Sequence, residues 1–484
     1  MTIAAPLDLN EWFNDQTTKF LVILPTSNSP KPVHVLNGFF HNCLSGQRSF
    51  RPAVDLVATS DRNPGGWAIG NDQLLEKTRL KLPKEDFRLD RLRRAVRSLI
   101  ASDGAVFLAN ASFQLAHLGL VTSDRTHFRL GELAARLAFL RPEAPELIRN
   151  LTARLRQAQP NPYWAIEKLL SDDATVEALD VKDPSPATWW AEEATVANLA
   201  EDLAGLVIRA LQLSVQSKDS LLGLQTLAYS ATFAGLLAFA QVPEILVSGG
   251  QPYTLLCEAG DPGSLSTVRA ASAESLNRVD QSFREYLYTA LRAEIVDRFD
   301  GAVPDGSEAV TYIQQCKQKK LAGGRELAPE KLRELYVSWR ADYDPEISMA
   351  RTLEEALASA MGNKPRDWFS AVGRHCGFVG PRRGPMPRLR IEVALAPALV
   401  LAGIDEDDDR AVPMSVWSDR LAERFGLVFG PSERAREMAQ RAAEDELEQN
   451  QIFLARLLSS LGLARRYSDG VTEVLNPLKI WAKQ

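Results

Sequence analysis

The run from Leu221 to Ala240, LLGLQTLAYSATFAGLLAFA, carries no charged side chain and constrains the fold more than any other segment. Its length would let one helix cross a bilayer, and the same length suits a helix at the centre of a water-soluble domain. Polar residues such as Gln225, Ser230 and Thr232 dilute its hydrophobicity, and the sequence has no comparable second run. We therefore expect a buried core helix and no membrane contact.

The chain is long enough to form several domains around such a helix. Its 484 residues exceed the usual about 100 to 200 residues per domain, and hydrophobic residues make up 45% of them. Polar, glycine-containing stretches at 301–308 and 317–330 indicate loops or a domain edge. We predict an N-terminal domain at 1–150, a helical middle domain at 151–345 and a C-terminal domain at 346–484.

Most of the chain has the periodicity of amphipathic helices. In 86–100, Leu89, Leu92 and Val96 recur at helical spacing with arginines between them, which predicts a helix with a basic face. A β-prone run at 32–36 interrupts this pattern, and 244–259 has the pattern of a hairpin around a Gly-Gly turn. The predicted fold class is a mainly α, multi-domain protein with small β-hairpins.

A local hairpin signal lies near the C-terminus, in the stretch LARRYSDGVTEVLNP at 463–477. Asp469-Gly470 between β-prone runs predicts a two-residue type I′ turn, because both central residues of that turn need positive φ and glycine adopts it without steric cost. Leu461-Gly462 predicts the end of the preceding helix, with the glycine in the left-handed conformation. The expected order is therefore helix, strand, turn, strand.

The segment LGLVTSDRTHFRLG at 118–131 has a similar pattern, and a short predicted helix, SFQLAHLG, comes before it. Together with the helix at 86–100 it gives the order helix, helix, hairpin. This order, at 86–131 and again at 412–477, resembles winged-helix domains, a variant of the helix-turn-helix. The resemblance covers these two modules and no larger part of the chain.

The resemblance implies which residues would face DNA. In winged helices one helix can enter the major groove while the hairpin contacts a neighbouring phosphate or groove, which points here to the helices at 112–119 and 450–462. The implied hairpin residues are Arg125, His127, Arg129, Arg465 and Arg466. Neither helix offers the row of Arg, Lys, Asn or Gln that base reading usually needs, so docking on another protein stays open as the alternative.

The most basic segment of the sequence lies at 364–390, where seven Lys and Arg residues accompany a single acid. Glycine and proline between them favour an ordered loop or ribbon that brings arginines to phosphates, and an Arg-rich protein interface is the alternative. The predicted phosphate-binding residues of this segment are Arg374, Arg382, Arg383, Arg388 and Arg390. A second, more diluted basic patch lies at 77–97.

Signatures of catalysis or metal binding are sparse. The sequence has no GxxxxGK[ST] phosphate loop, no HExxH or GxSxG motif and no paired-cysteine zinc spacing, so we expect no cofactor. The acidic run at 405–409 fits a solvated loop better than a metal site. An enzyme with a divergent site, such as a nuclease, stays open as an alternative.

The charge balance limits how the protein can meet DNA. A net charge of −6 restricts any contact to local basic patches, and four widely separated cysteines fit a reducing cytoplasm. We expect a non-catalytic subunit of a bacterial DNA-handling assembly, in genome defence or chromosome maintenance. Its partners would be double-stranded DNA and an ATPase or nuclease subunit. A purely protein-docking scaffold is the alternative.

Overall fold

The computed structural model describes residues 5–23, 25, 29–44, 55–57, 59–60, 63–77, 84–100, 113, 116, 125–157, 181–182, 184, 194–260, 265–321, 323–362, 364–381, 386–434, 442–468 and 470–481. These residues are mainly helical, as the sequence predicts. The helices are α1 (Leu9–Gln16), α2 (Pro32–Cys43), α3 (Asn71–Lys77), α4 (Asp86–Ile100), α5 (Arg125–Ala138), α6 (Ala144–Gln157), α7 (Ala194–Gln216), α8 (Ser220–Ser248), α9 (Ser266–Arg298), α10 (Gly306–Gln315), α11 (Pro329–Arg340), α12 (Pro345–Met361), α13 (Lys364–Cys376), α14 (Ala396–Ala402), α15 (Met414–Phe425), α16 (Glu444–Ser460) and α17 (Pro477–Ile480).

Short strands accompany the helices. They are β1 (Thr59–Ser60), β2 (Asn63–Trp67), β3 (Leu255–Leu256), β4 (Val379–Gly380), β5 (Arg388–Leu389), β6 (Ala411–Pro413), β7 (Leu427–Val428), β8 (Ala464–Arg466) and β9 (Thr472–Leu475). β1 pairs antiparallel with β2, and β4 with β5, whereas β3 pairs in parallel with β7. β9 lies between β6 and β8 in an antiparallel sheet.

Helix α8 lies in the core, where it packs against α2, α7 and α9. It is the one helix of the described residues that is long and apolar enough to cross a membrane, and 89% of its most apolar window is buried inside the protein. The uncharged run is therefore a core helix, as expected. The buried Gln241 donates to the carbonyls of Tyr253 and Phe425 at 2.9 and 2.7 Å, which ties the chain before β3 and before β7 to this helix.

The apolar core extends along the chain. One continuous cluster of buried apolar side chains includes Leu7, Leu237 and Leu478. Within it Phe239 of α8 stacks on Phe283 of α9, with the ring centroids 4.9 Å apart. The described core thus contains residues from all three predicted segments, and the boundaries near 150 and 345 stay predictions.

The predicted hairpin at 244–259 is wrong. Helix α8 continues to Ser248, and Gly249, with φ 64°, ends it in the left-handed conformation. The Gly-Gly pair is thus at a helix end, where glycine is favoured for the same reason as in a turn. Only Leu255–Leu256 is a strand, and its partner is the distant β7. The β-prone run at 32–36 is likewise helical, because Pro32 is tolerated in the first turn of α2.

The predicted hairpin at 118–131 is wrong in its second strand, because α5 begins at Arg125. Leu130 and Leu133 are buried on one face of this helix, at the spacing of a helical stripe. Gly131 permits close packing on α2, since a β-carbon there would lie 2.4 Å from the backbone nitrogen of Phe39. The winged-helix order predicted at 86–131 is therefore incorrect at its hairpin.

The C-terminal hairpin is present, but its turn differs from the prediction. Gly462, with φ 69°, follows α16, and β8 and β9 then pair antiparallel. The amide of Tyr467 donates to the carbonyl of Val471 at 2.8 Å, and the amide of Gly470 donates to Tyr467 at 3.1 Å. These bonds enclose a three-residue loop, so the two-residue type I′ turn is wrong. Gly470 does have the expected positive φ, 85°.

Candidate functional site

Helix α4 presents the basic face that its sequence predicts. Leu89, Arg93 and Val96 are buried, whereas the opposite side is exposed. The exposed side carries one aromatic and three basic side chains, called the basic face below: Phe87, Arg88, Arg91 and Arg94. The buried side of α4 packs against the rest of the protein, whereas the opposite side exposes a row of positive charges to solvent.

A buried arginine anchors the helix from below. Arg93 is fully buried and donates from Nε to the carbonyl of Leu56 at 2.8 Å. Its Nη1 donates to the carbonyl of Ile69 at 3.0 Å and to Oδ1 of Asn71 at 2.7 Å, and Nη2 donates to the carbonyl of Asp55 at 3.2 Å. Although burial lowers the pKa of Arg93, its hydrogen bonds go to four oxygens, which compensate its lost hydration.

Asp90 of α4 also forms hydrogen bonds with residues around Arg93. Nε1 of Trp67 donates to its carboxylate at 2.8 Å, and the side-chain amide of Asn71 donates at 3.2 Å. These two hydrogen bonds, with Trp67 first, hold the pKa of Asp90 below its usual range. The carboxylate is therefore ionised at neutral pH and bound on the inner side of α4.

Two carboxylates of the same region lie near the basic face: Glu85 beside Arg88, and Asp90, which interacts electrostatically with Arg94. Arg88 lies 3.9 Å from Glu85, and both side chains are more than half exposed, so this pair is weak. The guanidinium of Arg91 lies 5.2 Å from the ring centroid of Phe87. Within the part of the chain that the structure describes, no hydrogen bond or ion pair includes the side chain of Arg91 or Arg94. Phe87 itself is 58% exposed, which is unusual for a large apolar residue.

The arginines of the predicted segment at 364–390 lie in different environments. The segment forms α13 and the ribbon of β4 and β5, which fits the predicted ribbon in part. The prediction that Arg388 binds phosphate is wrong, because Arg388 is buried and its Nε donates to the fully buried carboxylate of Glu258. Arg390 is half-buried and donates to the carbonyl of Gly260 at 3.3 Å. Arg382 and Arg383 lie outside the described residues.

Arg374 lies in the last turn of α13 and lines a cleft of about 500 Å³. Other positively charged or titratable side chains of this cleft are Lys31 and His375. The cleft is far too small to admit a DNA duplex, whose diameter alone is about 20 Å, and the contact of Arg374 with DNA phosphates stays a prediction.

Of the first predicted wing, Arg125 and His127 belong to α5, and their side chains lie outside the described residues. Arg129 also belongs to α5 and forms an ion pair with Glu132 at 3.1 Å. Most of the helix predicted at 112–119 is not among the described residues either. Since α5 replaces the hairpin, no wing presents these three side chains.

Arg465 and Arg466 of the second predicted wing are exposed on β8, an edge strand of its sheet. Arg465 lies opposite Glu473, whose carboxylate accepts from the hydroxyl of Tyr467 at 2.9 Å. Two adjacent arginines on an edge strand discourage pairing with other strands, and their side chains point to opposite faces of the sheet. The structure thus places both residues where the sequence predicts, on the first strand of the hairpin.

The helix predicted to face DNA in this module, α16, contacts the rest of the protein instead. Asn450 is buried and donates to the carbonyls of Cys257 and Phe429 at 2.9 and 2.8 Å. Glu446 accepts from the amides of Thr267 and Val268 at 2.8 and 3.1 Å, at the first turn of α9. Although desolvation opposes it, this bonding lowers the pKa of Glu446. An acidic first turn bound to α9 is unsuited to a DNA groove.

The acidic run at 405–409 is part of an ion-pair network. Arg420 donates to Asp408 at 2.5 and 3.0 Å, and Arg424 donates to Asp405 at 2.7 and 2.9 Å. The run therefore connects α14 to α15 through charge pairs and is more than a solvated loop. Among the described residues no group of three or more His, Cys, Asp or Glu side chains could hold a metal ion.

The basic face was partly visible in the sequence. The spacing of Leu89, Leu92 and Val96 predicts the helix and its basic side, but the sequence gives no reason to prefer it over the richer segment at 364–390. The burial of Arg93 was not predicted, because residue type alone does not distinguish it from Arg91 and Arg94. The signal that remains is the helical spacing, which places Arg93 with the apolar residues and the other arginines opposite them.

The chain matches no protein-family model, and comparisons with curated proteins and with solved structures gave no match.

Proposed function

We propose that the protein is a non-catalytic, nucleic-acid-associated subunit that contacts the phosphates of double-stranded DNA through the basic face of α4. The observation that carries this proposal is the exposure of Arg88, Arg91 and Arg94 along one helix, where Arg88 has only an exposed, weak ion pair with Glu85 and Arg94 interacts with Asp90 through space. Arginine on a helix surface can donate to successive phosphates, and such contacts position a protein without reading sequence. Because the whole chain is acidic, DNA would meet the protein at this local patch.

The firm anchoring of α4 supports the proposal. A row of charges binds a regular backbone best when its spacing is fixed, and the bonds of Arg93 fix the helix against the segment at 55–71. Arg91 and Arg94 are three residues apart and therefore neighbours on the helix surface. Their separation is then set by the helix and not by a loop.

We also infer that the C-terminal module is winged-helix-like. Its elements follow the order α14, β6, α15, β7, α16, β8, β9, in which β6 pairs with β9 and the short β7 pairs with the distant β3. This order supports the resemblance at 412–477, while the acidic, bound first turn of α16 favours a docking role for the module. Arg465 and Arg466 on its edge strand remain basic side chains that DNA or an acidic partner would contact.

The wider setting belongs to the same proposal. A chain that binds phosphates but has no nucleotide-binding motif would work beside an ATPase or nuclease subunit in a bacterial, cytoplasmic assembly for genome defence or chromosome maintenance. A purely protein-docking adaptor is the second candidate. Phe87 favours it, because an exposed aromatic residue among arginines also suits an acidic protein surface.

The test is a fluorescence-anisotropy titration of a labelled duplex. We expect the wild type to bind unrelated duplexes alike and Arg91→Glu with Arg94→Glu to abolish most of that binding. The matched control is Arg333→Glu, which reverses an exposed arginine on α11. A double variant that binds like the control would contradict the assignment of the face. If the wild type binds no duplex but captures an acidic protein through α4, the docking role replaces it.

A further inference from the structure

A cleft between the start of α2 and the end of α13 has the character of a small-molecule site. Its volume is about 500 Å³, within the range usual for ligand pockets. Lys31 precedes α2, whereas Arg374 and His375 end α13, so residues far apart in the sequence converge there. No acidic residue is among the described residues that line the cleft. The described lining thus carries the cationic side chains of Lys31 and Arg374 and no carboxylate.

Arg374 is the side chain that points most clearly to a ligand. Its Nε atom is buried and has no hydrogen-bond partner among the described residues. A buried donor on a charged group that lacks an acceptor is costly, and proteins leave few of them without a functional reason. The Nε atoms of Arg129, Arg136, Arg269 and Arg278 also lack an acceptor, but each of those guanidinium groups lies within 4 Å of a carboxylate, and that of Arg374 has no such partner among the described residues. An oxyanion in the cleft would supply the missing acceptor.

The rest of the cleft wall is aromatic and apolar. Tyr229 of α8 and Phe113 line it, together with Val33 of α2. Tyr229 lies within α8, and its carbonyl accepts a weak hydrogen bond from the thiol of Cys376 at 3.8 Å. A wall of this kind suits a ring or another flat apolar group, and the volume leaves room for one beside an oxyanion.

We propose that this cleft binds a small phosphate monoester that carries a ring. Arg374 and Lys31 match the charge of a phosphate dianion, and His375 adds a donor beside them. Tyr229 and Phe113 contact the ring. The site lies apart from the basic face of α4 and does not depend on the function proposed for that face.

Phenyl phosphate is the probe, because it has both a phosphate and a ring. We expect isothermal titration calorimetry on the full chain to show binding of phenyl phosphate, weaker binding of inorganic phosphate and no binding of phenol at the same ionic strength. Binding to the folded state should also raise the melting temperature. Absence of phenyl phosphate binding at millimolar concentrations would overturn the proposal, as would equal binding of phenol.

Two variants on one helix locate the site. Arg374→Gln should weaken phenyl phosphate binding by about tenfold or more, because it removes a charge-assisted hydrogen bond. Arg366→Gln is the control, since Arg366 lies on α13 but donates to Asn277 at 2.7 Å. Lys31→Gln, in a different segment, gives an independent reading if Arg374→Gln folds poorly. Unchanged affinity in a folded Arg374→Gln or Lys31→Gln protein would refute the assignment of that residue and with it the site.

Discussion

The guanidinium carbon of Arg93 lies 4.2 Å from the centre of the Trp67 ring, and both side chains lie beneath the basic face of α4. Stacking on an aromatic ring suits arginine because its planar cation is weakly hydrated. The contact joins strand β2 to α4, and the hydrogen bonds of Arg93 extend it to Leu56 and Asn71. The buried side chain of Arg93 thus fixes the position of α4, the helix that carries the exposed arginines of the basic face.

Replacement of Arg93 should weaken the packing of α4 on β2 and α3. Arg93→Met leaves several carbonyl oxygens without donors, and we expect a loss of roughly 3 kcal/mol or more of local stability. Hydrogen exchange of amides in 63–77 and 86–98 measures it. Arg94→Met, a change of the exposed neighbour, should leave the exchange unchanged. Equal protection in the two variants would show that the bonds of Arg93 do not support the helix.

The buried pair of Arg388 and Glu258 should behave differently from exposed pairs. Arg388→Met leaves a fully buried carboxylate without its main partner, with only Arg269 nearby at 3.6 Å, and we expect a loss of roughly 3 to 5 kcal/mol. Adding Glu258→Gln should recover part of that loss. The control is Arg292→Met in a more exposed pair with Glu346, where the loss should stay below about 1 kcal/mol. Chemical unfolding of the variants measures each value.

The hairpin loop gives a test of backbone strain. Gly470 has φ 85°, and a β-carbon there would meet nothing within 4 Å, so a substitution is opposed by the backbone alone. Gly470→Val should destabilise the module by about 1 to 2 kcal/mol, and Gly470→Asn by less, because asparagine tolerates positive φ better. Thermal melting of the two variants measures the difference. Identical melting curves would argue against the left-handed conformation.

A second glycine serves as the comparison. Gly426 has a similar φ, 69°, but a β-carbon there would lie 2.0 Å from the carbonyl oxygen of Tyr253. The amide of Leu255 donates to the carbonyl of Gly426 at 2.7 Å, so a shift would also disturb the pairing of β3 with β7. Gly426→Ala should therefore destabilise the protein clearly more than Gly470→Ala.

The ionised carboxylate of Asp305 should stabilise the folded protein at neutral pH and lose this effect in acid. Its carboxylate accepts from Arg340 at 2.8 and 2.9 Å, from the hydroxyl of Tyr336 at 2.8 Å and from the amide of Gly306 at 2.7 Å. These bonds, with Arg340 first, hold the pKa of Asp305 well below its usual range. A carboxyl group with a lowered pKa in the folded state stabilises the protein above its unfolded pKa, which is about 3.9 for aspartate.

That contribution is lost as the pH falls below about 4, when the unfolded chain takes up the proton first. Asp305→Asn should lower the melting temperature at neutral pH, and the melting temperatures of wild type and variant should approach each other steadily as the pH falls below about 4. Asp300→Asn is the control, because asparagine tolerates the φ of 48° at that position. A constant difference across the pH range would contradict the assigned role.

Local signals in the sequence were sufficient for part of this fold. The uncharged run predicts α8, and Asp469-Gly470 predicts a hairpin, because helix period and turn chemistry act over a few residues. The length of the turn was not predictable from the dipeptide, since Asp-Gly fits loops of two or three residues. The helix at 125–138 was predictable in principle from the helical spacing of its leucines, but the β-prone run before Gly131 suggested a strand.

Long-range structure could not be obtained in this way. The parallel pairing of β3 with β7 and the pair of Glu258 with Arg388 join residues more than a hundred positions apart. Neither partner carries a local sign of the other. For the same reason the sequence could not distinguish the buried Arg388 from arginines exposed to solvent, and the cleft at Arg374 depends on helices whose packing no short motif specifies.

The salt dependence of DNA binding separates the two predicted basic surfaces. Each phosphate contact contributes a slope of roughly −0.9 to the plot of log affinity against log salt concentration, because it releases counterions. Arg91→Ala with Arg94→Ala should lower the magnitude of the slope by up to about 2 and weaken binding to unrelated duplexes alike. Arg382→Ala with Arg383→Ala tests the segment predicted at 364–390 in the same way. Anisotropy titrations at several salt concentrations measure both. If only the second variant flattens the slope, phosphates bind at Arg382 and Arg383 and the basic face of α4 has another role. If neither does in normally folded protein, the arginines of both surfaces do not contact DNA.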